Sequence, residues 1–435
     1  MVLDEQLMSA LIKLQQTIKT DCDNYCVKDI KEFSCTRCSG SACRYVYDPI
    51  LRENKNNFAT NNKINIKRFS PSICITHRCN LSCVYCYQKH RDGMSMNRNT
   101  LSKVLDWIVS NKPKNTQGIE LTFIGGEPMI EFDTMKYAYE YMCSNYPNED
   151  VIFYATTNGT LLDEADKSWI RKHKDRFYLR LSLDGTRETH NKNRNSSFDL
   201  IDIDFFKETW PGQGVKVTLS EYSLKNLAEN IKFIHSIGFD DIGGVNLYEG
   251  DNFWDKPEFI DILKNQLKEL VDFYIEYPQL RLNQLFDKRL DFCESTPKIK
   301  CKRCGIGENT IFFDVDGTRY PCTFITPMTY NSSELQRISD FNFKSIDNFI
   351  DEGCYNSCYL YPICPTCAGA NYMVNGSFKM RIKNRCQIQK LLALYVADLM
   401  GKRVIMNPKL LDDDIKYYTI ESIKKIREKY YSLFF

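Results

Sequence analysis

Cys79, Cys83 and Cys86 place three thiols within eight residues, in the stretch CNLSCVYC. Three thiolates on one short loop can hold three corners of a four-iron four-sulfur cubane, whose usual protein ligands are cysteines. The fourth iron then lacks a protein ligand and is open to chelate a small molecule, like the open position of a catalytic zinc. The same spacing also suits a zinc ion completed by His77 or His90. Spacing alone leaves both readings open.

Two further groups of thiols flank this one. Cys301, Cys304, Cys322, Cys354, Cys358, Cys364, Cys367 and Cys386 number eight, enough for two fully ligated cubanes. Within them CKRC and CPTC read equally well as zinc knuckles. Near the N-terminus, Cys22 with Cys26 and Cys35 with Cys38 could bind a metal or a further cluster, with Cys43 to spare. Cys74, Cys143 and Cys293 stand alone, and an isolated thiol usually serves as a small apolar side chain.

The elements that would position these thiols follow from periodicity. Short β-rich runs at Ile73 to Thr76, Ile119 to Ile124, Val151 to Thr156, Tyr178 to Leu183, Val215 to Leu219 and Asp241 to Leu247 alternate with stretches of helical period. Strand-helix alternation implies parallel βα units with right-handed crossovers. Six such units fall short of the eight that close a barrel. The expected fold is therefore α/β: a partial (β/α)6 TIM-like barrel over residues 69–290. A Cys-rich domain of little regular structure follows over 291–390, held by metal, with a hairpin through Asp316 and Gly317. A helical C-terminus spans 391–435, and residues 1–68 form a Cys-rich extension opened by an amphipathic segment. Reactive groups of such barrels sit at the C-terminal ends of the strands, and CNLSCVYC directly follows the first strand.

Composition bounds the function. A hydrophobic share of 43% and a charged share of 26% are those of an ordinary globular chain. No eighteen-residue apolar run and no basic-then-apolar leader appear, which points to the cytoplasm and away from a membrane. Fifty-eight basic against 56 acidic residues give a formal charge of +2, which argues against a broad nucleic-acid surface. In a reducing compartment, clustered thiols serve metals or redox chemistry more often than disulfides.

The neighbours of the first thiol group carry a family resemblance. C-x3-C-x2-C with an aromatic, Tyr85, before the third cysteine resembles the signature of the radical S-adenosylmethionine (radical SAM) superfamily. GGEP (Gly125, Gly126, Glu127, Pro128) resembles the motif whose backbone receives the methionine amino group. TTNGT, with Asn158, and SLDG, with Ser182 and Asp184, followed by THNKNR ending at Arg194, resemble segments lining the ribose and carboxylate. The resemblance implies that the open iron chelates S-adenosylmethionine. An electron from the reduced cluster then releases a 5'-deoxyadenosyl radical that abstracts hydrogen from an unactivated carbon. Ser182 and Arg194 are the expected polar contacts to the cofactor, a guanidinium being suited to a carboxylate.

The later cysteines resemble the SPASM (auxiliary cluster) domain, with spacings of three, five and two where the family usually has two, five and three. By that resemblance Cys301, Cys304, Cys322 and Cys367 hold one auxiliary 4Fe-4S cluster, and Cys354, Cys358, Cys364 and Cys386 the other. The implied cofactors are three 4Fe-4S clusters and S-adenosyl-L-methionine. The implied function is a peptide or protein maturase forming thioether or carbon-carbon crosslinks, or oxidising a residue, in a ribosomally made substrate. Its partners would be a peptide, with a leader, and an electron donor such as flavodoxin or ferredoxin. Sulfatase-maturing members carry an aspartate where this chain has Thr323, which argues against that subclass. A small-molecule dehydrogenase or epimerase is the alternative enzyme, and an iron-sulfur or zinc scaffold the non-catalytic one.

Overall fold

The computed structural model describes residues 2–18, 68–89, 92–114, 116–247, 255–292, 298, 300, 302, 304–308 and 310–435. Cys22, Cys26, Cys35, Cys38, Cys43, His90, Cys293 and Cys301 lie outside the described residues.

The six expected strands all form: β2 (Ser72–Thr76), β3 (Gly118–Gly125), β4 (Val151–Thr157), β5 (Phe177–Leu181), β6 (Lys216–Leu219) and β7 (Gly244–Leu247), after a short β1 (Arg68–Phe69). Strands β2 to β5 pair in parallel in sequence order. β6 pairs in parallel with β7, and a single bridge between Ser182 and Lys216 joins that pair to β5. The helices between them, Arg98–Ser110, Phe132–Asn145, Glu164–His173 and Leu227–Ser236, follow the apolar periodicity of their sequences. This is the open α/β barrel expected from strand-helix alternation.

Two sides of the strands do different work. Val151, Phe153 and Ala155 are at most 1% exposed, and Phe153 lies 5.1 Å from the Tyr139 ring on helix Phe132–Asn145. That face is the packing layer between strand and helix. Tyr154 and Tyr178 stack at 5.1 Å on the opposite, inner face, since successive residues of a strand alternate sides. Partner residues in a parallel register share a face, so Arg180 and Ser182 lie on the inner wall with Tyr178. The Ser182 bridge adds Lys216.

The Cys-rich region is tied into this sheet. β8 (Phe312–Phe313) pairs in parallel with β2 and turns through Asp316 and Gly317 into β9 (Arg319–Tyr320). The expected hairpin thus extends the barrel sheet past the expected boundary at 290. Gly317 has φ +85°, a backbone conformation L side chains rarely adopt. His77, at the end of β2 and 2% exposed, is clamped between Asp314 of this hairpin (2.6 Å) and Asp92 (2.7 Å). Burial pulls its imidazole down, but the two carboxylates outweigh it and raise the group above its ordinary 6.5. His77 therefore joins the hairpin to the start of the thiol loop. Asp314→Ala is expected to cost about 1–3 kcal/mol, because a buried ring nitrogen loses its partner. A fall in the urea midpoint without a change in slope would show it.

Helix Lys383–Met406 is apolar nearly all round, with Leu391 to Ala397 all buried, as suits a helix packed on several sides. Helices Glu258–Glu276, Asp413–Tyr430 and Glu5–Thr17 surround it. The N-terminal helix is anchored there by Leu3 N–H donating to Asp398 (2.8 Å) and by Arg427 donating to the Leu3 carbonyl (2.8 Å). No helix among the described residues is long and apolar enough to cross a membrane.

Candidate active site

The thiol loop leaves β2 at its C-terminal end and runs along the ends of β3 to β5. Its base is zipped to the Gly-Gly turn after β3. Gly126 N–H donates to the Thr76 carbonyl (3.0 Å) and Glu127 N–H to the Arg78 carbonyl (2.8 Å). A Cβ at Gly125 would sit 2.3 Å from the Thr76 oxygen, and one at Gly126 2.2 Å from the Arg78 oxygen. Both positions thus need glycine for close approach of two backbones. Further along, Val84 N–H donates to the Asn193 carbonyl (3.0 Å), and Cys86 N–H to Cys83 O (3.1 Å) closes the turn. Gln88 returns to donate to the Gly125 carbonyl (2.9 Å), and Lys89 N–H reaches the Met328 carbonyl (2.7 Å).

Glu127 is 2% exposed, and its carboxylate is fully engaged. It accepts from Met129 N–H (3.1 Å), the Thr157 hydroxyl (2.7 Å) and Asn158 N–H (2.8 Å), locking the end of β3 to that of β4. Burial raises its carboxyl above the usual range against these donors. Asn158 accepts from Thr160 and donates to Asn80 on the thiol loop (2.8 Å). The side chains of Glu127 and Asn158 thus hold the rim together and leave backbone groups to face a ligand.

Asp184 is the hub of the opposite side. It is wholly buried and accepts from the Tyr85 hydroxyl, Asn193 (3.1 Å), Arg194 Nε (3.0 Å) and Nη2 (3.3 Å), and Thr218 N–H (3.0 Å). Burial would raise this carboxyl, but Arg194, then His190 and the Tyr85 hydrogen bond, hold it below 3.8. Tyr85 and Asp184 are therefore positioning groups for Arg194, which also lies over the Tyr85 ring (5.3 Å). Arg194 Nη1 comes within 4.0 Å of Cys83 Sγ. Burial pushes the Cys83 thiol up to about 11, with Arg194 opposing. Ser182 is 6% exposed, and its side chain has no hydrogen bond among the described residues. His190, buried and pulled down to about 4 by burial, stays neutral behind this wall, Nε2 3.1 Å from the Ser197 hydroxyl. Sequence reasoning passed over Asn193 and Gln88, though both lie within or beside the quoted motifs.

A tetrahedral zinc with bonds of ~2.3 Å draws its sulfurs to within about 3.8 Å of one another. Among the described residues, only Cys74, His77 and Asp314 bring three ligand atoms within 4.8 Å of each other. The sulfurs of Cys79, Cys83 and Cys86 do not form such a group.

The later cysteines fall into two places. Cys304 and Cys322 pack against a small apolar core of Ile306, Ile325, Tyr330, Phe349 and Phe378. Cys367 caps helix Ala368–Asn375, its sulfur accepting from Ala370 N–H (3.5 Å), and with Cys322 it acts on the Tyr330 hydroxyl. Burial pushes Cys322 up to about 12. Cys354, Cys358, Cys364 and Cys386 line a separate cavity with Arg381 and Lys390. There Cys386 is lowered by a hydrogen bond from Cys354, then by Lys390 and Arg381, and Cys354 is raised. Tyr87 of the thiol loop stacks on Phe324 (5.4 Å), two residues beyond Cys322.

An open α/β barrel with a three-thiol loop after its first long strand, met there by a Gly-Gly turn, defines a class. Residues 73–263 match the Radical SAM superfamily. That match implies a 4Fe-4S cluster and S-adenosylmethionine. The chain is similar to an uncharacterised protein of Methanocaldococcus jannaschii, 23% identical over 65% of this chain and 92% of that one. It is also similar to the cysteine-type anaerobic sulfatase-maturating enzyme of Clostridium perfringens, 28% identical over 62% of this chain and 76% of that one. Its fold resembles that of native anSMEcpe with bound AdoMet, with a TM-score of 0.58 and 21% identity over 78% of this chain and 100% of that one.

Proposed function

We propose that the chain is a peptide- or protein-modifying radical SAM enzyme carrying three 4Fe-4S clusters. The observation that supports it most is the placement of the loop bearing Cys79, Cys83 and Cys86 against the Gly125-Gly126 turn, bonded to it at Thr76 and Arg78. In this reading those cysteines ligate the cluster that chelates S-adenosylmethionine. The backbone of Gly125 to Glu127 receives the methionine amino group, and Ser182 and Arg194 receive its carboxylate. Tyr85, Asp184 and Asn158 hold these groups in place. When bound and reduced, the cluster supplies the electron that cleaves S-adenosylmethionine to a 5'-deoxyadenosyl radical. The barrel positions the target carbon and excludes water.

The two later sets, Cys304, Cys322 and Cys367 with Cys301, and Cys354, Cys358, Cys364 and Cys386, are assigned to a SPASM-like auxiliary domain over 291–390. Electron relay is their economical role, since complete thiolate ligation leaves no iron for substrate. The similarity to sulfatase-maturating enzymes favours a peptide substrate, and Thr323 at the position after Cys322 favours a reaction other than theirs. Crosslinking of a ribosomally made peptide is the leading candidate.

An anaerobic preparation is expected to contain about twelve iron and twelve sulfide per chain. With reductant it should release 5'-deoxyadenosine from S-adenosylmethionine without substrate. Candidate Cys-rich or leader-bearing peptides from the same source should lose two hydrogens by mass. Zinc in place of iron, or no cleavage, would sink the reading.

A further inference from the structure

Lys216 is an unusual lysine. It stands on β6 with Val217 and Leu219 buried in the opposite, helix-facing layer, and its bridge to Ser182 sets it on the inner wall. Several other lysines tucked into this chain are paired: Lys167 with Glu164 and Asp202, Lys302 with Glu308, Lys416 with Asp413. The Lys216 side chain has no ion pair and no hydrogen bond among the described residues. The carboxylate that acts on it, Asp184, is already taken by Tyr85, Asn193, Arg194 and the Thr218 amide. Its other charged neighbours, Arg194 and Arg180, are cations. Burial first, and then these two guanidiniums, pull the ammonium below its ordinary 10.5.

A partly buried cation among cations, with no partner among the described residues, is costly to maintain unless an anion arrives. Its place on the inner wall, beside the hydroxyl of Ser182, is where a substrate entering the barrel would meet it. We propose that Lys216 anchors a carboxylate of the substrate inside the barrel, with Arg180 on the same wall adding to the positive field. This deepens the peptide-modifying reading and rests on it: the preferred substrate carries an Asp, a Glu or a free C-terminus close to the carbon that loses hydrogen. The methionine carboxylate of the cofactor offers the same chemistry, so the test separates the two sources.

The probe is a pair of fluorescein-labelled octapeptides, identical but for one Asp or Asn, titrated anaerobically into reconstituted enzyme loaded with S-adenosylmethionine. Wild type is expected to bind the Asp peptide at least about tenfold more tightly, the scale of one desolvated charge-assisted contact. Lys216→Met should erase that preference, and Lys216→Arg should keep most of it. Because Lys216→Met removes an unpaired charge, it should unfold at the same temperature as wild type or higher. Equal binding of both peptides by wild type, or binding of neither, overturns the inference. So does a Lys216→Met effect that falls on S-adenosylmethionine affinity, which would give the lysine to the cofactor. A wild type that cleaves no S-adenosylmethionine sinks the functional reading itself.

Discussion

Gly126→Ala is expected to give a chain that folds but no longer holds iron at Cys79, Cys83 and Cys86. The added Cβ would lie 2.2 Å from the Arg78 carbonyl oxygen, 2.6 Å from its carbon and 2.9 Å from the Cys79 Cβ. Two of these are backbone atoms that cannot swing aside as a side-chain tip can. Relief requires the turn after β3 to draw back from the thiol loop, breaking the bonds from Gly126 N–H to Thr76 and from Glu127 N–H to Arg78. Overpacking and two lost hydrogen bonds together cost about 3 kcal/mol, borne locally because the barrel core lies below this rim. Cys79 moves with Arg78, so one corner of the site is displaced while Val84 stays tied to Asn193 and Cys86 to Cys83. A displacement of about 1 Å can cost on the order of 100-fold in rate. Iron analysis should show the loss of about four iron per chain, and 5'-deoxyadenosine formation should fall by at least that factor. Retention of both would mean that the loop is not held by this zip.

Asp184→Asn carries the second large effect, this time on stability. The carboxylate faces a guanidinium, a phenol, an amide and a backbone N–H, all buried. The substituted amide removes the charge and turns an NH2 toward donors, leaving Arg194 as an uncompensated cation. Such a break costs about 3–5 kcal/mol, to be read from urea midpoints on the cluster-free chain and on the reconstituted one. The pH dependence has a definite sign. The folded carboxyl lies below 3.8, so its contribution is complete above the unfolded value and is lost as pH falls through the folded one. The gap between wild type and Asp184→Asn should stay constant from about pH 5 to 8 and close only below about pH 4. A gap that closes near neutrality would mean that another group carries the effect.

Much of the architecture was legible because its signals are local. Strand runs, helical period and the order of Gly-Gly, Asn-Gly and Asp-Gly along the chain depend on residues within a few positions of each other, and β2 to β7 formed where these signals lay. The hairpin through Gly317 was legible for the same reason, yet its pairing with β2 was not. A two-residue strand such as Phe312–Phe313 carries no periodicity that names its neighbour. His77 shows the same limit. Beside three thiols it was one of two candidates, with His90, for the fourth ligand of the zinc alternative, while its pairing with Asp314, 237 positions away, left no local signal.

Residue types and spacing by themselves determined the three-thiol loop, the barrel class and the count of later thiols, since ligand number and backbone period are properties of the chain. Only the tertiary structure decided which polar groups are used up and which stay available. Asp184 and Glu127 looked like ligand contacts and are saturated by protein donors, while the Lys216 side chain is left without a partner among the described residues. The reason is physical: hydrogen-bond capacity and burial belong to an environment assembled from distant segments, and no local pattern records them.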